Sequence, residues 1–284
     1  MSEQRTKANG EIAALVTLLG DADPHIRQTA RARLLNLGEA AAEHLRQAIT
    51  SDGEGRIRIE AGVVLEELRL RRLAAAFHRL SLHTRCDLEQ ACFILAQIEY
   101  PELDIRGYVR KLDRLAQEAG ERIFNIRDGL RKVEAINSLL FFDLGFRGNT
   151  RAYYDPQNSY VNRVLDRRLG IPISLSAVYL FVARRLGLPI EGVGFPGHFL
   201  LKYDDGCRTF YIDAFNRGQI LYLGDCQQYL SHLGYPFHET YLQVSGPREI
   251  LARMIRNLVL IYHQKNQHHK IDTLEQIFSD FVTT

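Results

Sequence analysis

The residues with the clearest capacity for chemistry are a histidine and an aspartate fifteen positions apart, His198 and Asp213. Between them lies Asp204-Asp205-Gly206-Cys207, and Asp-Gly flanked by strand-like runs is a strong hairpin signal. With Asp205-Gly206 as a two-residue loop, Asp204 pairs with Cys207. Carried outward, that register sets His198 directly opposite Asp213 on one face, with Cβ atoms about 4.5–5.5 Å apart. A carboxylate there accepts the ring N–H, fixes the tautomer and raises the basicity of the imidazole. Two readings follow: half of a nucleophilic triad, or a buried polar pair that satisfies itself across the sheet.

The elements that must position this pair follow from periodicity. Strands are expected at 190–195, 197–203 and 208–214, with a further one at 219–223. Ahead of them lies the most hydrophobic helix, 172–186, which carries Leu175, Val178, Tyr179, Val182 and Leu186 and is closed by Gly187. Earlier, Leu88, Ala91, Cys92, Leu95 and Ile98 form a helical stripe ended by Pro101, and helices are expected over 104–120 and 127–143. Turn residues crowd between Gly145 and Ser159, which reads as a structured loop. A terminal helical pair, 247–264 and 271–282, has the form of one TPR-like hairpin.

Residues 10–75 read as helices with an internal repeat. Ile26, Arg27, Ala30, Leu34 and Leu37 fall on Ile57, Arg58, Ala61, Leu65 and Leu68 at an offset of 31. The first copy opens with the capping residue Asp23 and with Pro24 at the first helical position, and Gly38 stops it. Helix pairs with this Asp-Pro-x-Ile-Arg opening resemble HEAT repeats, which stack because one unit cannot bury its own face.

Composition bounds the rest. The chain has 284 residues, 46% hydrophobic and 25% charged, which excludes a disordered or fibrous chain and allows about two domains. A formal charge of +2 gives no general reason to expect nucleic acid or an anionic membrane as partner. The run Arg69, Arg71, Arg72 and Arg79 reads as a solvated helix face. The longest purely apolar stretch, Ala177 to Ala183, is far below the roughly 20 residues that span a bilayer, and no signal-peptide pattern is read. Four unpatterned cysteines (Cys86, Cys92, Cys207, Cys226) fit a soluble, reducing, cytoplasmic setting. His78, His83, Cys86 and Cys92 match no tetrahedral metal spacing, and no metal or cofactor is expected.

Several further motifs stand in order: Glu99-Tyr100-Pro101-Glu102-Leu103-Asp104, Leu144-Gly145-Phe146-Arg147-Gly148-Asn149, Leu165-Asp166-Arg167-Arg168-Leu169-Gly170-Ile171-Pro172, Phe195-Pro196-Gly197-His198 and Ile212-Asp213-Ala214-Phe215-Asn216. Together they resemble the SirB-like branch of the transglutaminase-like superfamily over residues 85–225. The resemblance implies a papain-like order of Cys, His and Asp, with the Cys opening the central helix; His198 and Asp213 match the last two. The Cys position falls on Pro172, which cannot attack a carbonyl but suits the first turn of a helix. Ser174 and Ser176, in the same helical turns, are the substitute nucleophiles to consider, and capping or packing is the simpler role for both.

The expectation is therefore an α+β protein: a HEAT-like segment (1–80), a transglutaminase-like core (81–240) with its central helix on a small antiparallel sheet, and a helical pair (241–284). Tyr153, Tyr154, Asn158, Tyr160 and Asn162 before the central helix, with Asn216 and Arg217 after Asp213, would border the former active-site cleft, and such groups suit peptide recognition. Asn158, Tyr160 and Asn216 are the binding residues expected first. The function expected is a non-catalytic protein- or peptide-binding scaffold or regulator. The alternative is an amide hydrolase or acyltransferase using Ser176 or Ser174 with His198 and Asp213.

Overall fold

The computed structural model describes residues 2–51, 54–82 and 86–282, which fall into two compact units, residues 1–75 and 76–284. The first unit is helical: α1 (Ser2–Leu18), α2 (Pro24–Leu37), α3 (Glu39–Thr50) and most of α4 (Gly55–Leu82). The Asp23 carboxylate accepts the His25 N–H at 2.8 Å ahead of Pro24, and Gly38 at φ +62° ends α2. Ile12, Leu19, Leu34, Ala41, Leu45, Ala61 and Val64 form the core. The 31-residue offset is only partly a structural equivalence. Ala30 and Ala61 are both buried, but buried Leu34 falls on half-buried Leu65, and exposed Ile26 falls on half-buried Ile57. On α4 the exposed Arg71 pairs with Glu67 at 2.9 Å and the exposed Arg72 with Glu39 at 3.2 Å, whereas the Arg69 side chain, only 13% exposed, pairs with Glu66 and departs from a solvated face.

The second unit is α+β. Its helices are α5 (Leu88–Ala96), α6 (Ile105–Ile123), α7 (Gly129–Asn137), α8 (Val161–Arg167), α9 (Pro172–Arg185), α10 (Leu223–His232), α11 (Pro247–Gln264) and α12 (His268–Val282). Asp87, Asp104 and Asp128 cap α5, α6 and α7 by accepting backbone N–H groups of the first turn. Helix α7 runs on into a π-helical turn, Ser138–Asp143, so the single helix expected over 127–143 changes pitch partway.

Two short strands, β1 (Arg147–Gly148) and β2 (Leu169–Gly170), pair in parallel. The main sheet contains β3 (Ile190–Val193), β4 (Leu200–Asp204), β5 (Thr209–Asp213), β6 (Gln219–Leu221) and β7 (Val244–Ser245). It is antiparallel, in the order β6-β5-β4-β3-β7. Helix α9 packs against β3 and β4 and against α6 and α8, and is buried along almost its whole length. Its start follows from sequence: Ile171 is extended (φ −97°, ψ 168°), Pro172 takes the first helical position, and the Ser174 hydroxyl accepts the Ile171 N–H at 3.1 Å.

The β4–β5 register differs from the expected one by two residues. Asp204 pairs with Thr209, not Cys207, so the loop is Asp205–Arg208. The cause is local: the Asp205 carboxylate accepts the N–H groups of Cys207 (3.0 Å) and Arg208 (2.8 Å), and Gly206 takes φ +81°. An even shift preserves which face each side chain occupies. Asp213 and the chain at His198 therefore still meet, diagonally rather than directly opposite.

Candidate functional site

His198 is delivered by a turn ahead of β4. Phe195-Pro196-Gly197-His198 places Pro at the second position and Gly197 at φ +68° at the third, and the His198 N–H donates to the Phe195 carbonyl at 3.0 Å. These are the requirements of a type II turn. Arg253 of α11 fixes the same turn from outside, donating to the carbonyls of Phe195 (2.9 Å) and His198 (2.6 Å). Burial, followed by the neighbouring charge of Arg256, holds Arg253 below its usual range.

At the end of β5 the Asp213 carboxylate is saturated with donors. Its Oδ2 meets His198 Nε2 at 2.8 Å and accepts Asn216 Nδ2 at 2.8 Å, while Oδ1 accepts the N–H groups of Phe215 (3.0 Å) and Asn216 (3.1 Å). Burial alone would raise this carboxyl. The His198 hydrogen bond and charge, with the Asn216 donors, outweigh it and hold the group below the ordinary carboxylate value. Both side chains are almost wholly enclosed, 8% and 5% exposed. Three aromatic rings collar the pair: Phe215 and Tyr229 each lie 6.0 Å from the His198 ring, and Tyr153 packs edge-on to Phe215 at 6.1 Å. Tyr153, Tyr154 and Tyr229 remain exposed at the surface.

The other expected site residues are placed differently. The Ser174 hydroxyl donates to the Asn158 carbonyl at 2.5 Å and serves the start of α9; Ser176 is buried and its Oγ has no hydrogen-bond partner among the described residues. Neither is hydrogen-bonded to His198, whose ring meets Asp213 through Nε2. Asn158 is fully buried, donating to the carbonyls of Ala152 (2.7 Å) and Tyr153 (3.1 Å) and accepting from Asn149 (3.0 Å). Tyr160 is buried beside Tyr262, with hydroxyls 2.7 Å apart, and Tyr262 donates to Glu99 at 2.9 Å. The expected cleft-lining role of Asn158 and Tyr160 therefore gives way to an internal one: Asn158 spends its amide on the loop just before it, and Tyr160 spends its hydroxyl on distant Tyr262. Of the three expected binding residues only Asn216 adjoins the dyad.

All four cysteines are free, and none is hydrogen-bonded to the dyad. Cys226 lies in the core beneath β5 with Val193, Phe195 and Leu230, and burial, then the charges of Asp225 and Asp213, push its thiol up to about 11. Burial likewise raises Cys92, whose thiol contacts Met254 Sδ at 3.6 Å. Both are core thiols whose surroundings disfavour the thiolate. His83 lies outside the described residues. Among the described residues no group of three or more His, Cys, Asp or Glu is placed to hold a metal ion, and no helix is long and apolar enough to cross a membrane.

Ser176→Ala is expected to leave stability unchanged or raise it by up to about 1 kcal/mol, because it removes a buried hydroxyl without a partner. Ser174→Ala is expected to cost about 1 kcal/mol through loss of the cap. Thermal unfolding of the two variants beside the wild type measures both; a loss at Ser176 larger than at Ser174 would contradict these roles.

Tyr229 and Arg253 were not among the residues expected at the site. For Tyr229 a signal exists, since Cys226, Tyr229, Leu230 and Leu233 recur at helical spacing. Arg253 carries none, being one cation on an amphipathic helix.

Residues 106–256, more than half of the chain, match the transglutaminase-like superfamily. The chain is 39% identical over 188 residues to a UPF0162 protein of Xylella fastidiosa, covering 63% of this chain and 66% of that one. It is 35% identical to a UPF0162 protein of Vibrio cholerae over 48% of this chain and 50% of that one. With mouse F-box only protein 21 it shares 37% identity over 62% of this chain and 28% of that protein. The chain thus spans less than two thirds of the length of each of these relatives. No solved structure matches it.

Proposed function

The chain belongs to the transglutaminase-like superfamily, and from that premise we propose that it is a non-catalytic member that binds a protein or peptide in the cleft around His198 and Asp213. The observation that carries this reading is the dyad itself. It is intact and enclosed, yet among the described residues no hydroxyl or thiol is hydrogen-bonded to the histidine ring, and Pro172 opens the helix where the resemblance puts the nucleophile. Acyl transfer by Ser176 or Ser174 has less support, because the Ser176 hydroxyl has no polar partner among the described residues and the Ser174 hydroxyl is committed to the Asn158 carbonyl.

Exposed aromatic groups reach outward from the dyad, Tyr229 against the His198 ring, Tyr153 against Phe215 and Tyr154 against Tyr153, and are of the kind that dominates peptide recognition. The matches fit a module carried in chains of different length, since this chain covers 66% of one relative and 28% of another. The helical segments 1–80 and 241–284, of HEAT-like and TPR-like form, would add interaction surface. The free cysteines suit a reducing, cytoplasmic setting.

Selection of a random peptide library on the immobilised full chain tests the proposal. Recovered peptides are expected to lose about tenfold or more in affinity against Tyr229→Ala or Tyr153→Ala. Recovery of no peptide, or of peptides indifferent to both substitutions, would overturn it.

A further inference from the structure

Beside the dyad, on the other side of Asn216, lies a cavity of about 610 Å³. Three arginines line it: Arg147 on β1, Arg151 in the following loop, and Arg217 in the turn after β5. No acidic residue lines it. None of the three makes an ion pair with a described residue, so their charges face one another across the concavity without a carboxylate between them. Three unpaired cations around one concavity repel each other, and a bound anion relieves that repulsion.

The backbone supplies an independent observation. Arg217 has φ +55°, the left-handed region that favours glycine or asparagine; only three non-glycine residues among those described adopt positive φ. The turn is otherwise built in the expected way, with Gly218 at φ +73° donating its N–H to the Asp213 carbonyl at 2.8 Å. Arg217 thus lines the cavity from a strained backbone position, of the kind found at functional sites.

We propose that this cavity binds a phosphate monoester. At neutral pH such a group carries about −1.5 to −2 charge and three acceptor oxygens, a better match to three guanidinium forks than a single carboxylate. The volume exceeds that of the phosphate, and the Phe215 ring in the lining offers a face for the organic part. The ester is either a soluble small molecule or a phosphorylated side chain of a polypeptide. The site stands independently of peptide binding at the His198 cleft.

Calorimetric titration of the full chain at fixed ionic strength tests this. The probes are inorganic phosphate, glycerol phosphate, a phosphoserine-containing tripeptide with its unphosphorylated counterpart, and acetate. The three phosphate probes are expected to bind and the other two not to. Arg217→Gly is expected to weaken binding about tenfold or more while leaving the melting temperature nearly unchanged, since glycine accepts the same backbone conformation. Arg151→Ala, in an exposed loop, provides a second variant with the same expected loss. Tighter binding of the phosphopeptide than of glycerol phosphate assigns the ester to a polypeptide, and the reverse to a small molecule; either supports the site. Absence of phosphate binding, acetate binding of equal strength, or binding indifferent to both substitutions would overturn it.

Discussion

Asp213→Ala is expected to destabilise the unit formed by residues 76–284 by about 3 kcal/mol, because it strands an enclosed imidazole and three N–H donors at once. All 13 tyrosines lie in that unit and the chain has no tryptophan, so tyrosine fluorescence during urea unfolding reports on it alone. A loss under 1 kcal/mol would mean that the dyad contributes little to the fold. The same carboxylate sets a pH dependence. Its folded-state value is depressed, so its contribution is present above the unfolded value and is lost as pH falls through the folded one. The stability difference between wild type and Asp213→Asn is therefore expected to shrink as pH falls below about 4. A difference that grows in that range would contradict the assignment.

Arg185→Ala is expected to cost about 2–3 kcal/mol by the same fluorescence measurement. At the end of α9, Arg185 donates to both oxygens of Glu89 on α5 (2.5 and 2.8 Å), to Asp113 on α6 (2.8 Å) and to the Phe181 carbonyl (3.1 Å). The Glu89 side chain is only 15% exposed, so removing the guanidinium leaves an enclosed carboxylate unpaired. Asp113 is 57% exposed and adds little. Arg185→Lys keeps the charge but not the fork and is expected to recover only part of the loss. Equal stability of Arg185→Ala and wild type would show that α9 is held by apolar packing alone.

Several helix boundaries were legible because they rest on local rules. Asp23-Pro24 and Gly38 mark a helix through capping chemistry, and Pro172 marks the start of the central helix in the same way. The His198–Asp213 contact was legible for a subtler reason. The Asp205 side chain enlarges the loop and slips the register, but the slip is of two residues, and strand parity keeps both groups on one face. What sequence could not show is partnership over long distances. Tyr160 reads as a cleft residue from its neighbours, yet its hydroxyl belongs to Tyr262, 102 positions away. Arg253 reads as a surface cation, yet it holds the turn that carries His198.

The central claim, that the dyad no longer drives a nucleophile, is tested most directly by intact-mass analysis of the native chain after exposure to a broad serine- and cysteine-directed acylating probe. His198→Ala and His198→Gln are treated in parallel. The expected result is no stoichiometric adduct that depends on His198. A stoichiometric adduct in the wild type that disappears in both variants, mapped to Ser176, Ser174 or any other side chain, would contradict it and show a working enzyme.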